Sequence, residues 1–382
     1  MIYLDAHSAT PPCSAALERM DPYLKEHWGA GFAPHRMGQE LIASLEPRYQ
    51  MLYDFVDADP KDTFVFTSSG AEAANQVLWS VFLELARKEG KCHFITSCIE
   101  DAPTLQMLKQ LEKLGCTVKI APVNAQGQID LEKLTQMINP RTALISVTLA
   151  QGLTGVIQPF EEIAKIAKEK NILLHLDGTY ALGKFPFSFS DTDVDYLTFS
   201  GDRIHALKGS GGLFAKERRP LSPLILGGNE QASLRGGAFD IPSFVALSAA
   251  AQQASLYLDT MGLEVARLRN HFETQIAQEI PGAKPLFQES LRLPNTSVIL
   301  FPKVHQEALL YTLNRKGLYA SIGGPYAQHL SRLLIASGIP ESQAESALAF
   351  SLSRMTTEEE INRAIRLIQD NVKPLYIASE AL

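Results

Sequence analysis

Four short stretches hold side chains that could bind or transform a small molecule. "FVFTSSGAEAAN" sets Ser68, Ser69, Gly70 and Ala71 between a β-rich run and a helical one. Such a turn offers N–H groups and the positive end of a helix dipole to an anion, although a serine there also serves as an ordinary N-cap. "LLHLDGTYALG" puts Asp177 directly after an apolar run, as a cofactor partner or as a cap. "ITSCIEDAP" carries Glu100 and Asp101. The fourth, "DYLTFSGDRIHALKGSGGLF", brings Ser200, Gly201, Asp202 and Arg203 to the end of a strand-like run, ahead of a glycine-rich turn. An arginine at the centre of such a junction is the feature to be explained.

The elements that must position these residues alternate along the first two-thirds of the chain. β-rich runs "DTFVFTS", "CHFITSC", "TVKIAPV", "TALISVTLA" and "ILLHLD" are separated by helical stretches such as "GAEAANQVLWSVFLELARKEG", "APTLQMLKQLEKLG" and "FEEIAKIAKEKN". Runs apolar on both faces and separated by helices predict a mainly parallel sheet covered on both sides. In such a sheet ligands bind beyond the carboxyl ends of the strands, where all four stretches fall. After about Gly228 the pattern changes. One long helical stretch, "IPSFVALSAAAQQASLYLDTMGLEVARLRNHFETQIAQEI", leads into a smaller α+β portion with strands "NTSVILF" and "ALAFSLS". The last helix, "EEEINRAIRLIQDNV", is entered through a capping box of Thr357 with Glu360 or Thr356 with Glu359. The expected organisation is a large α/β domain over residues 14–250 and a smaller α+β domain from 1–13 plus 251–382, joined by a long shared helix.

Composition sets the outer limits. The chain has 382 residues, 46% apolar and 20% charged, with a formal charge of −7. Those values suit a globular protein and give no reason to expect nucleic-acid or anionic-membrane binding. No run reaches the roughly 18 apolar residues of a membrane helix, and "MIYLDAHSATPP" has neither the basic nor the apolar part of a signal peptide. Cys13, Cys92, Cys98 and Cys116 match neither a CxxC pair nor a zinc site. They read as reduced thiols, and the expected compartment is the cytoplasm.

The segments "IYLDAHSATPP", "HRMGQE", "FVFTSSGAEAAN", "ITSCIED", "GVIQPFEEIAKIAKEKNILLHLDGTYALGKFPF", "VDYLTFSGDRIHALKGSGGLF", "GGNEQASLRGGAFDIP" and "FSLSRMTTEEEI" occur in one order at one spacing. Together they resemble the cysteine desulfurases of the class V aminotransferases, over Ile2 to about Val372. The resemblance implies the fold of type I pyridoxal-phosphate enzymes and a homodimer. It also implies an activity that takes sulfur from cysteine as a persulfide for iron–sulfur clusters or tRNA thiolation.

Residue by residue, the resemblance places the family's site on altered positions. Its Schiff-base lysine falls at Arg203. A guanidinium stays protonated, so Arg203 cannot attack an aldehyde as a neutral amine does. The histidine preceding that lysine, a phosphate ligand, falls at Asp202, and the ring-stacking histidine at Asp101. Two threonines, one binding phosphate and one reaching across the dimer, fall at Ala71 and Ala238. The asparagine near the cofactor falls at Gly152 or Gln151, and the glutamine beside its phenolate at Tyr180. The substrate-binding arginine falls at Ala349. The loop of the nucleophilic cysteine reads "ASIGGPYAQH", with Tyr326 near its centre and no cysteine. Of the main site residues only Asp177, the partner of the ring nitrogen, and Ser200 carry over.

Charge argues the same way. Like charges about 4 Å apart cost roughly 4 kcal/mol at an effective dielectric near 20. Asp101, Asp177 and Asp202 would oppose a bound phosphate, and Arg203 is expected to neutralise this carboxylate cluster. The expectation is a catalytically inactive relative with no cofactor, serving a regulatory or interaction role near sulfur transfer. Its partners would be a second copy, an iron–sulfur scaffold or an active desulfurase paralogue. The alternative is an active pyridoxal-phosphate enzyme with its lysine relocated to Lys208. A cation site from His205, Asp202, Asp101 and Asp177 is a third reading, and no metal is expected.

Overall fold

The computed structural model describes residues 1–324 and 329–380. Its strands are β1 (Ile2–Tyr3), β2 (Thr63–Thr67), β3 (His93–Ser97), β4 (Thr117–Ala121), β5 (Thr142–Thr148) and β6 (Leu173–Asp177). They continue with β7 (Tyr196–Ser200), β8 (Gly211–Ala215), β9 (Lys284–Pro285), β10 (Thr296–Leu300), β11 (Leu318–Tyr319) and β12 (Ala347–Ser351). Seven of them form one sheet in the order β2-β8-β7-β6-β5-β3-β4. β4, β3, β5, β6 and β7 run parallel, and β8 lies antiparallel to both β7 and β2.

Adjacent residues of the sheet feed different cores. Ile95 and Ile145 belong to one apolar cluster, and their neighbours Phe94 and Leu144 to another. Side chains alternate between the two faces of a strand, so apolar residues at consecutive positions require cover on both sides. The Ile241–Leu256 helix supplies part of that cover and packs against the Ser14–Lys25 and Arg36–Val56 helices.

β12, β10 and β9 form a separate antiparallel sheet with its own core around Phe272, Ile299, Phe350 and Ile365. The chain start belongs to this part. β1 pairs with β11, Leu4 is fully buried in the same core, and Ala6 N–H donates to Ser351 O at 3.1 Å. The segment carrying Asp5 and His7 is thereby laid along the end of β12.

The expected long helix over 241–280 is broken. It runs Ile241–Leu256, bends at Tyr257 (ψ 6°), is α-helical over Leu258–Thr260, widens over Met261–Val265 and resumes as Ala266–Glu279. The Arg354 guanidinium sits 4.8 Å from the centroid of the Tyr257 ring. That contact from the smaller sheet's side holds the ring at the bend. At the last helix the box is made by Thr357 with Glu360: Glu360 accepts from Thr357 N at 3.0 Å, and Thr357 Oγ1 accepts from Glu360 N at 3.3 Å. No helix among the described residues is long and apolar enough to cross a membrane.

Candidate functional site

Glycines bring three strand ends into contact. A Cβ on Gly211 would lie 2.4 Å from the carbonyl carbon of Ser69, so only glycine lets β8 approach the turn after β2. A Cβ on Gly70 would meet Thr179 Oγ1 at 3.1 Å and Ser200 Cβ at 3.2 Å. The turn at 68–71, the segment after β6 and the end of β7 therefore meet at one place. Ser69 acts as a cap here: its Oγ accepts from Glu72 N at 3.2 Å, and Glu72 Oε2 accepts from Ser68 N at 2.7 Å. Burial disfavours the Glu72 charge, but the hydrogen bonds from Arg235 (3.0 Å) and Ser68 outweigh it and hold its carboxyl below the usual range.

Arg203 ends a single helical turn, Gly201–Arg203, directly after β7. Its Nη1 donates to Asp202 Oδ2 at 2.5 Å, and Ser200 Oγ donates to Asp202 Oδ1 at 2.7 Å. Arg203 Nε is buried without a hydrogen-bond partner among the described residues. The guanidinium carbon is 5.9 Å from the Tyr180 ring centroid, and Tyr180 OH donates to Asp101 Oδ2 at 2.5 Å. Gly152 makes room for that ring, because a Cβ there would fall 2.6 Å from it. Asp177 Oδ1 accepts from Thr179 N at 3.0 Å, which caps a turn rather than a helix.

The carboxylate cluster is thus divided among separate partners. Arg203 answers Asp202, while Tyr180 answers Asp101 and a backbone N–H answers Asp177. Burial raises several acids further. Glu100 is pushed up to about 8 by desolvation, against hydrogen bonds from Ser97 and Thr148, and is largely protonated at neutral pH. Burial, with the nearby Asp101, raises Asp177 to about 6, and burial raises Asp5 to about 6. His7 is pushed down to about 3 by burial, Arg203 and Lys184, so its 3.1 Å contact with Asp5 is a hydrogen bond to a neutral ring.

A cavity of about 190 Å³ opens among His7, Asp101, Gln151, Tyr180, Arg203 and Gly323. It gathers Asp101, Tyr180 and Arg203 from the sequence expectations. Ser200 and Asp202 adjoin it through Arg203, Ala71 sits in the first turn of the Gly70–Val81 helix, and Asp177 ends β6. Gln151 lines it but is occupied, its Oε1 accepting from Leu153 N and Thr154 N at 2.7 and 2.9 Å. Ala349 is fully buried in β12, paired with Ser321 on the segment leading to Gly323. Ala238 is exposed, Lys208 is exposed on the turn before β8, and Tyr326 lies outside the described residues. The His205 ring is hydrogen-bonded through Nδ1 to Pro11 O at 2.9 Å. Sequence reasoning missed His7, Asp5 and Lys184. The first two arrive from the smaller sheet's side. Lys184 stood in view as a lysine inside the apolar run "ALGKFPF".

A class V aminotransferase family profile matches residues 2–364. A cysteine desulfurase of Trichormus azollae is 33% identical, covering 99% of this chain and 94% of that protein. The cysteine desulfurase NifS of Azotobacter vinelandii is 31% identical over 98% of this chain and 93% of its own. Among solved structures, a NifS-like protein superposes with a TM-score of 0.90 at 29% identity, covering 97% and 98% of the two chains. DndA from Streptomyces lividans does so at 0.77 and 28%, covering 91% and 99%.

These relatives overturn the expectation that no cofactor is involved, because the family they define works with pyridoxal phosphate. The residues present suit that group in part. The N–H groups heading the Gly70–Val81 helix suit its phosphate, and a carboxylate at the end of β6, Asp177, is of the type that pairs with a ring nitrogen, whereas the Ser200 hydroxyl and Arg203 are already engaged by Asp202. They do not suit it as a covalent anchor at position 203, where no amine stands. With its mainly parallel sheet, its matched length and these relatives, the chain belongs to the class V aminotransferase family, among the cysteine desulfurase homologues.

Proposed function

We propose that this chain is a cysteine desulfurase homologue whose sulfur-extracting turnover has been lost, and that it acts through its scaffold in a regulatory or interaction role near sulfur transfer. The observation that carries this reading is Arg203 itself, bound to Asp202 at 2.5 Å where the family resemblance puts the reactive amine. Ala349 in place of a substrate-binding arginine, and a loop over 320–329 without cysteine, support it. The reading concerns turnover and is compatible with retained pyridoxal phosphate. The site correspondences, the two-domain division, the homodimer and a cytoplasmic location belong to the same proposal. The partner would be an iron–sulfur scaffold or an active desulfurase paralogue.

The test supplies the purified chain with pyridoxal phosphate and L-cysteine and measures alanine and sulfide. No alanine above a protein-free control is expected. Sustained alanine formation would overturn the proposal.

A further inference from the structure

Lys184 is the one lysine buried among the described residues, with 7% of its surface exposed. Its Nζ donates to Tyr180 O at 2.7 Å, and it makes no ion pair with a described carboxylate. Burial, reinforced by the Arg203 charge and opposed by Asp202, pushes it down to about 7. Much of it is then a free amine near neutral pH, which is the form that attacks a carbonyl.

Its position gives that amine something to serve. Lys184 lines a cleft of about 20 Å³ together with Arg203, His205 and Arg354. Arg203 also lines the 190 Å³ cavity, and among the described residues it is the one side chain common to both. Tyr180 presents its ring to the cavity and its carbonyl to Lys184. Arg203 therefore stands as the partition between the amine and the cavity, and its unpartnered Nε leaves it held mainly through Nη1.

We propose that Lys184 is a carbonyl-reactive amine which forms an imine with an aldehyde seated in the cavity when the Arg203 side chain swings aside. The lysine nitrogen bonds to the aldehyde carbon, the carbonyl C–O bond breaks, and the oxygen leaves as water with both amine hydrogens. No oxidant or reductant is needed. Lys208 is exposed on its turn and lines neither of these two cavities. The inference goes beyond the proposed loss of turnover and stands whether or not that loss is correct.

The test incubates the full chain with pyridoxal phosphate as the aldehyde probe, reduces with borohydride and maps the adduct by peptide mass spectrometry. The expected result is an adduct on Lys184 in preference to Lys208 and other exposed lysines, raised several-fold in R203A and absent in K184R. K208R should leave it unchanged. An adduct spread over exposed lysines, with Lys184 unmodified in wild type and R203A, overturns the inference. The wild-type arm decides alone if R203A does not fold. Alanine release is read separately, so desulfurase turnover with an unmodified Lys184 and trapping at Lys184 without turnover are distinct outcomes.

Discussion

Arg203 holds a single charge-assisted bond in a site where neighbouring carboxylates have other partners. Replacing it tests what the position lacks. R203K introduces an amine, and a pyridoxal-phosphate adduct trapped by borohydride is expected at position 203 itself. On the proposed loss of turnover, alanine production from cysteine should stay at background. Mass mapping and an alanine assay on the same sample check both halves. Glu100 carries a second prediction. It holds its proton up to about 8 when folded, against an ordinary value of 4.5. Between those values the unfolded chain loses the proton first, so this group's contribution to stability falls as pH rises. Wild type should lose up to a few kcal/mol between about pH 5 and 8 from this source. E100Q should flatten the slope in denaturant midpoints measured across that range.

At the scale of elements, the turn after β2 depends on Glu72 twice. It closes the capping box with Ser69 and pairs with Arg235, with side-chain exposures of 7% and 19%. E72A should lose about 3 kcal/mol in urea denaturation, because the guanidinium of Arg235 is left half-buried without its carboxylate. T357A, which removes only an exposed cap, should cost about 1 kcal/mol or less. The helix over 241–280 shows what local pattern leaves open. Its apolar residues carry on through Tyr257 without a proline, yet the helix bends there. Arg354, whose guanidinium sits over the Tyr257 ring at the bend, lies far along the chain.

For the whole molecule, the relevant surface is around the start of the Arg36–Val56 helix. Trp28 is 69% exposed and Phe32 81%, and Gly31 packs against the half-exposed Ile42. Large aromatic side chains left open in this way are expected to be covered in an assembly. Wild type should sediment as a dimer and W28D/F32D as a monomer. An unchanged sedimentation coefficient for the double variant would place the contact elsewhere.

The mainly parallel sheet and most of its strands were legible in the chain, whereas the order of the strands was not, and the glycine-rich segment read as a turn is the antiparallel strand β8. Consecutive apolar residues in "TALISVT" and "ILLHLD" can be satisfied only by cover on both faces, and that constraint is local. The correspondences proposed for 71, 101, 202, 203 and 349 rest on position along the order of motifs alone. Which carboxylate Arg203 would meet was not legible. The cluster looked like one charge problem, and the fold divides it into pairs, Asp202 with Arg203, Asp101 with Tyr180 and Asp177 with a backbone N–H. Lys184 was equally hidden. Its role depends on burial beneath Tyr180 and Arg203 and on the chain start returning along β12 with His7. Proximity of that kind comes from tertiary packing, which the spacing of residues along the chain does not encode.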